Sequence, residues 1–316
     1  MILFSNIIIF ALLLIFSFII GFFTLPVICD RLLKHKRQEI TESFERNLAT
    51  YKYVQENKPH VPEKRITAVH KWAEIQVNQN KMGKLEPWMA DKLAESGIID
   101  RVFDEEHYVK IDTDKWSFDA TLKNKFLCGL LCFFSAFVIN LPVLLCPYFS
   151  VVSHQGLACL FATLLMLCIV LIVLCDKQVM IIPYQVCLAS IPLSILCAFI
   201  NVGFEGIFSS IITALIITGL LYSISLIFSI FGIKGSIGAG DIRIIPWICL
   251  ACGMTGSIAG LIACFVFLAL QAIVLLIRKK GNRKTYLPMA PGLLIWLIVG
   301  YFAGFFIGAP FYIALY

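Results

Sequence analysis

Long apolar stretches recur along most of the chain, and each has about the length of a membrane crossing. A helix that spans the hydrocarbon core of a bilayer needs about 20 mainly apolar residues. Such stretches cover roughly residues 2–27, 126–146, 156–175, 184–201, 206–231, 243–255, 257–277 and 288–312, of which the sixth is short. The pattern predicts an all-α polytopic membrane protein with about eight transmembrane helices. The first stretch lacks a preceding basic segment and is too long for a cleaved signal peptide, so we expect it to remain a membrane helix.

The segment between the first two apolar stretches has a different periodicity. Residues 41–57 and 63–80 show the apolar spacing of amphipathic helices. Pro87 is predicted to begin a short helix that Gly97 ends, and residues 98–111 contain a predicted strand, Tyr-Val-Lys-Ile. The segment is therefore expected to be a mostly helical, cytoplasmic insertion between the first and second membrane helices.

Composition agrees with a division of the chain into membrane and polar parts. The whole chain is 59% hydrophobic and 15% charged, whereas soluble domains are about 45–50% apolar and about 25% charged. This excludes an ordinary soluble protein and a disordered one. Residues 30–119 hold 16 of the 26 Lys and Arg and 17 of the 20 Asp and Glu. We predict a first transmembrane helix at 1–29, a cytoplasmic segment at 30–122 and a membrane-embedded domain at 123–316.

The remaining charges predict the orientation of the chain. Lys and Arg collect in cytoplasmic loops of membrane proteins. If residues 30–125 are cytoplasmic, the loops on the same side carry all of the basic residues beyond them: Lys177, Lys234, Arg243, Arg278, Lys279, Lys280, Arg283 and Lys284. The opposite loops, near 147–155, 202–205 and 255–256, carry none. Both chain ends are therefore predicted to face the outside. No basic stripe interleaved with aromatic residues is present, so we expect no nucleic-acid partner.

Cysteine and histidine do not form a metal-binding pattern. All of the 12 Cys except Cys29 lie beyond residue 127, mostly within apolar runs, where a small buried side chain is a packing residue. Cys249 and Cys252 form a CxxC without a second pair, and the histidines of the polar segment have no cysteine partners at zinc spacing. We predict no metal site.

Three acids stand out against the apolar background of residues 120–316: Asp176, Glu205 and Asp241. Carboxylates at membrane depth are costly and are functional candidates. Glu205 is predicted to be solvated in a short outer loop. Asp176 and Asp241 fall at the cytoplasmic ends of their helices, at the same depth, although either one alone is also explained as an interfacial charge.

Two carboxylates at one site can share a proton, so that one activates water and the other polarises the scissile carbonyl, as in an aspartic protease. A Ser/His/Asp triad lacks its residues here, because the only His beyond residue 119 is His154, on the outer side. Gly238 and Gly240 precede Asp241 and allow the backbone to approach a substrate closely. The same loop without a Gly-Lys-Ser/Thr makes a poor nucleotide site.

These residues resemble a known family. Gly238-Ala-Gly240-Asp241 is a GxGD motif, Asp176 is followed by the pattern D-x5-I-P through Ile182-Pro183, and Leu287-Pro-Met-Ala-Pro291 is similar to a proline-containing stretch before the last helix. Over roughly residues 125–300 the chain resembles the bacterial prepilin peptidases, the type IV leader peptidases.

The resemblance implies a membrane aspartic endopeptidase that removes the basic leader of type IV prepilins or pseudopilins at the cytoplasmic side of the bacterial inner membrane. Asp176 and Asp241 are then the catalytic pair, and Gly238 and Gly240 shape the loop that presents Asp241. The implied partners are these substrates, the lipid bilayer and the components of a pilus or secretion machine.

The chain also departs from the family. Many members methylate the new N-terminus and carry two CxxC pairs in the first cytoplasmic segment, but no Cys lies between Cys29 and Cys128. We therefore expect no cofactor, since S-adenosylmethionine would be needed only for methylation. The polar segment is then interpreted as a recognition element for a substrate or a machine partner, or as a structural cap.

Alternatives stay open at this stage. A presenilin-like GxGD enzyme has Tyr-Asp at the first acid and a Pro-Ala-Leu motif, whereas Cys175 precedes Asp176 here and Pro-Ala-Leu is missing. A transporter or scaffold would use the two acids to bind protons or ions, near mid-bilayer and often in broken helices. Within the protease interpretation, helix dipoles predict Asp241, at a helix start, as the base and Asp176, at a helix end, as the proton carrier.

Overall fold

A computed structural model describes residues 2–81, 85–99, 116–145, 155–179, 181–230, 239–277 and 289–308. The regular elements within these ranges are all helical. The α-helices are α1 Ile2–Ile19, α2 Leu25–Glu56, α3 Glu63–Lys81, α4 Pro87–Glu95, α5 Leu122–Leu145, α6 Gln155–Val179, α7 Tyr184–Ile230, α8 Ala239–Ile277 and α9 Ala290–Ala303. Two π-helical turns, Ile20–Thr24 and Gly304–Gly308, follow α1 and α9, and a 3-10 turn covers Lys58–His60. The predicted strand within 98–111, Tyr-Val-Lys-Ile, lies outside the described residues.

The chain forms two compact units. The membrane unit comprises Met1–Cys29 and Asp119–Tyr316, and the polar unit comprises Asp30–Phe118. Five helical stretches are long and apolar enough to cross a membrane: Ile8–Glu56, Leu122–Pro142, Gly156–Val179, Gly206–Phe228 and Gly240–Ile277. Two further apolar helices, Tyr184–Ile200 and Ala290–Phe306, are shorter. The all-helical class is confirmed for the described residues, and the number of eight crossings stays a prediction.

The helix of the first apolar stretch continues beyond that stretch. The π-helical turn Ile20–Thr24 passes directly into α2, which continues to Glu56. The sequence predicted a membrane stretch that ends near residue 27, and the helical backbone runs on past it. Pro26 follows directly on the π-helical turn, where the regular i→i−4 hydrogen-bond pattern is already altered, so its missing N–H does not end the helix. The amphipathic helix predicted at 41–57 is the second half of α2, whereas that predicted at 63–80 is confirmed as α3.

Helix α7 unites two predicted helices, 184–201 and 206–231, so the predicted loop at 202–205 that was to hold Glu205 is helical. A straight helix of 47 residues would be about 70 Å long. Its two ends lie much closer together than that. The start of α7 directly follows the segment of Ile182, which contacts Gly240. The end of α7, Ile230, is joined to Gly240 by a stretch of chain that spans at most about 35 Å when fully extended. Helix α7 must therefore bend sharply, and Pro192 within it is one residue at which helices bend.

Helix α8 is broken at Gly253, whose φ of 67° and ψ of −174° are not helical. The Ser257 hydroxyl lies 3.2 Å from the Cys249 carbonyl oxygen, although eight residues of straight helix rise by about 12 Å. The second arm of α8 therefore turns back beside the first. Since the first arm ends at the break after about 21 Å of helix, it is too short to cross a hydrocarbon core of about 30 Å.

Glycines bring the second arm of α8 against α9. A Cβ on Gly256 would overlap the carbonyl oxygen of Gly300, and one on Gly300 would lie 2.8 Å from the carbonyl oxygen of Gly256. A Cβ on Gly260 would overlap the Trp296 side chain, and one on Gly304 would lie 2.5 Å from the Cys252 carbonyl oxygen. Small residues four apart allow this close backbone approach in membranes. Their spacing, GxxxG in both helices, is visible in the sequence, but the spacing does not say which helix is the partner.

The polar unit has its own small apolar core between α2 and α4. The buried members of this core are Phe44, Leu48, Leu85, Met89 and Leu93. Trp72 of α3 packs against it, with its ring centroid 5.9 Å from that of Phe44. The amphipathic spacing that predicted two helices here thus reflects a real buried face.

The predicted limits of α4 are confirmed. The helix begins at Pro87, and Gly97 follows its end with a φ of 67°. The Gly97 and Ile98 N–H groups donate to the carbonyl oxygens of Ala94 and Leu93, both at 3.0 Å. This is a Schellman-type end, in which glycine adopts the left-handed conformation at no steric cost.

Candidate active site

Asp176 lies in the last turn of α6 and is only 5% exposed. Its Oδ2 accepts a hydrogen bond of 3.0 Å from the backbone N–H of Ala290. Ala290 is the first residue of α9, and the first N–H groups of a helix have no acceptor within the helix itself. The carboxyl group of Asp176 therefore supplies, from a different helix, an acceptor that α9 lacks.

This contact changes the electrostatic argument for the two acids. The sequence interpretation placed Asp176 only at the carboxyl end of α6, where the helix dipole opposes an anion. The structure also places Asp176 at the amino end of α9, where the dipole favours one. The two dipoles act in opposite directions on the same group, so they no longer assign the roles of base and proton carrier to Asp241 and Asp176.

Asp241 is the third residue of α8 and is half-buried in its first turn. Just before it, Gly240 packs against Ile182: a Cβ on Gly240 would lie 3.4 Å from the Ile182 Cβ. Ile182 belongs to the D-x5-I-P segment that follows Asp176. The structure thus brings the two motifs into contact, at the end of α6 and the beginning of α8. Gly238 lies outside the described residues.

A second set of contacts connects the same two regions through α9. Two residues after Ala290, Gly292 approaches Cys264 so closely that a Cβ on Gly292 would lie 2.9 Å from the Cys264 Sγ. Cys264 lies on the returning arm of α8, whose first arm carries Asp241. Asp176 and Asp241 therefore occupy the same end of the membrane unit, where the segment after Asp176 contacts Gly240 and the start of α9 contacts Asp176.

The cysteine beside Asp176 also has a partner. The Sγ atoms of Cys175 and Cys29 are 3.5 Å apart, and both residues are fully buried. This contact packs α2, just after the first apolar stretch, against the end of α6. Within the described ranges, no three His, Cys, Asp or Glu side chains group closely enough to hold a metal ion.

Two participants in this region were not recognised from the sequence. The Ala290 N–H was not recognised because any residue but proline supplies such a donor; the nearest signal was the Leu287-Pro-Met-Ala-Pro291 stretch, singled out for its prolines. Cys29 was not recognised because an isolated cysteine at the end of an apolar run indicates only packing.

The chain matches no protein-family model, no curated protein and no solved structure with which it was compared. Function therefore has to be inferred from the residues of the site. These offer two acids at one end of a helical membrane unit: Asp176, which is buried and accepts a hydrogen bond from Ala290, and Asp241, which directly follows Gly240 in the first turn of α8.

Proposed function

We propose that the protein is a membrane aspartic endopeptidase that cleaves the basic leader of type IV prepilins or pseudopilins at the cytoplasmic face of a bacterial inner membrane. The observation that carries the proposal is the packing of Gly240, beside Asp241, on Ile182 of the segment that follows Asp176. It supports a shared site for two acids that are 65 positions apart in the sequence.

The proposed reaction needs one ionised and one protonated carboxyl group. The ionised group takes a proton from water as the water oxygen attacks the scissile carbonyl carbon, and the protonated group gives its proton to the carbonyl oxygen. Collapse of the tetrahedral intermediate breaks the C–N bond. The departing amine takes a proton from the carboxyl group that received one from water, and the hydroxyl formed from the carbonyl oxygen returns its proton to the other carboxylate, which restores the starting pair. Both carboxyl groups are needed, because neither can be base and acid in the same step.

The proposed substrate fits the location of the acids. A prepilin joins a polar, basic leader to an apolar helix, so its cleavage site lies where water meets lipid. Asp176 and Asp241 both lie within a turn of a helix end, and the basic loops predict that these ends face the cytoplasm. In this orientation the polar unit is on the side of the leader, where it would recognise a substrate or a machine partner, or serve as a cap.

The test is cleavage of a purified prepilin by the full-length protein in lipid vesicles. Asp176→Asn and Asp241→Asn should each lower the rate by more than about a hundredfold, the usual contribution of a general acid or base. Glu205→Gln is the matched control, because it removes the third acid of the same domain, and it should retain the wild-type rate. Near-normal cleavage by either aspartate variant would refute the proposal.

One observation favours the transporter alternative. Helix α8 is broken at Gly253, with the hydroxyl groups of Ser257 and Ser210 nearby, and broken helices with polar surroundings form ion sites in many transporters. Asp241 lies at the other end of this arm, and Asp176 lies in α6. Proton or cation flux into vesicles that depends on Asp176 and Asp241, without any cleavage of prepilin, would favour transport.

A further inference from the structure

We propose that the backbone N–H of Ala290 is a positioning group for Asp176, and that it makes Oδ1 the oxygen through which Asp176 exchanges its proton. The inference deepens the proposed peptidase function and rests on it. The observation behind it is the 3.0 Å hydrogen bond from the Ala290 N–H to Oδ2 of a carboxyl group that is 5% exposed.

The assignment of the oxygen follows from the donor. A backbone N–H can only donate, so Oδ2 must act as an acceptor whether Asp176 is ionised or protonated. A protonated carboxyl group carries a single O–H, and its carbonyl oxygen is a better acceptor than its hydroxyl oxygen, so a donor to Oδ2 favours the form with the hydrogen on the other oxygen. The proton therefore belongs on Oδ1, the oxygen left to face water, substrate or the second acid.

The first turn of α9 suits this role. The N–H of Ala290 has no acceptor within its own helix, and the next residue, Pro291, has no N–H at all. Ala290 is thus the donor that this end of the helix presents to Asp176. Two residues further on, Gly292 packs closely against the side chains of Cys264 and Leu268 of α8, which restricts the movement of this turn.

A single-atom change tests the proposal in the full-length protein. Replacement of Ala290 by L-lactic acid turns its amide into an ester, which removes the N–H and keeps the side chain. The same change at Leu293 is the matched control, because the Leu293 N–H donates to the Met289 carbonyl oxygen at 3.1 Å. An ester at 290 weakens the Met289 carbonyl oxygen as an acceptor, and an ester at 293 removes the N–H that donates to it. Both esters therefore perturb the same helical hydrogen bond, but only the ester at 290 removes the hydrogen bond to Asp176.

Two measurements separate positioning from general damage. In the cleavage assay we expect kcat to fall roughly tenfold for the ester at 290, the worth of one hydrogen bond to an ionisable group, with KM within about twofold. The kcat and KM of the ester at 293 should stay near those of the wild type. In infrared difference spectra against Asp176→Asn, the carboxyl band of Asp176 should shift in the ester at 290 and not in the ester at 293.

Each outcome bears on one of the two proposals. An unchanged carboxyl band, or equal rate losses for the two esters, would overturn the positioning role even if cleavage occurs. A shifted band in a protein whose wild type does not cleave prepilin would support the contact and overturn the peptidase function instead.

Discussion

The contact between α8 and α9 yields the most quantitative prediction, through the variant Gly300→Ala. Its added Cβ would lie 2.8 Å from the Gly256 carbonyl oxygen and 2.9 Å from the Cys252 Sγ. The carbonyl is backbone and cannot rotate away, so the two helices must separate by several tenths of an ångström. Overpacking of this kind costs about 1–3 kcal/mol.

A second glycine provides the reference for that cost. Gly219 lies in α7, and a Cβ there would meet no atom within 4 Å. Alanine is favoured over glycine within a helix by about 0.5–1 kcal/mol, and this gain applies equally to Gly219→Ala and Gly300→Ala. The difference between the two variants therefore isolates the packing cost, and Gly300→Ala should be less stable than Gly219→Ala by about 1–3 kcal/mol.

The assay is reversible unfolding in mixed micelles with increasing denaturing detergent, followed by circular dichroism. The free energy of unfolding of Gly219→Ala should equal or exceed that of the wild type, and that of Gly300→Ala should fall below it. If the two variants have the same free energy of unfolding, the close approach of Gly256 and Gly300 does not hold α9 against α8, and the packing argument is refuted.

Three further contacts can be tested in the same way. Asn140 donates to the Thr163 hydroxyl at 2.7 Å between α5 and α6; a double-mutant cycle with Asn140→Leu and Thr163→Val should give a coupling of about 0.6 kcal/mol, and zero coupling would contradict the bond. Membrane-permeant disulfide reagents should link Cys29 to Cys175, as peptide mapping by mass spectrometry would show; recovery of both as free thiols would argue against their contact. Glu86→Ala removes a buried carboxylate that accepts a hydrogen bond of 2.5 Å from the Trp88 indole N–H and lies 3.6 Å from the Arg37 guanidinium. The local stability of α4 should fall by about 1–3 kcal/mol, which faster hydrogen exchange in α4 would show. Unchanged exchange would contradict a stabilising role of Glu86.

Local features were predictable where the chemistry is local. Pro87 and Gly97 bound α4 as predicted, because proline fixes a helical φ at the first position and glycine accepts the left-handed conformation after the last. The continuation of this first helix to Glu56 was not predictable, because a change from apolar to polar residues alters what surrounds a helix without breaking its hydrogen bonds.

The candidate site was likewise predictable only in part. Asp176, Asp241 and Gly240 were visible as rare residues in an apolar background. Their surroundings were not, because the partner of Asp176 is 114 positions away and the thiol that contacts Cys175 is 146 positions away. The donor to Asp176 is moreover a backbone group, which leaves no trace in the identity of its residue.

The sequence alone thus determined that this is a helical membrane protein with a separate polar segment, since hydrophobic length and charge distribution act residue by residue. It also singled out the acids, since a carboxylate in an apolar run is costly wherever the chain goes. Only the tertiary structure decided which helix end meets Asp176, that Gly240 rests on Ile182, and that glycines bring α8 against α9. These depend on backbone approach between distant segments, which is settled when the helices pack and not before.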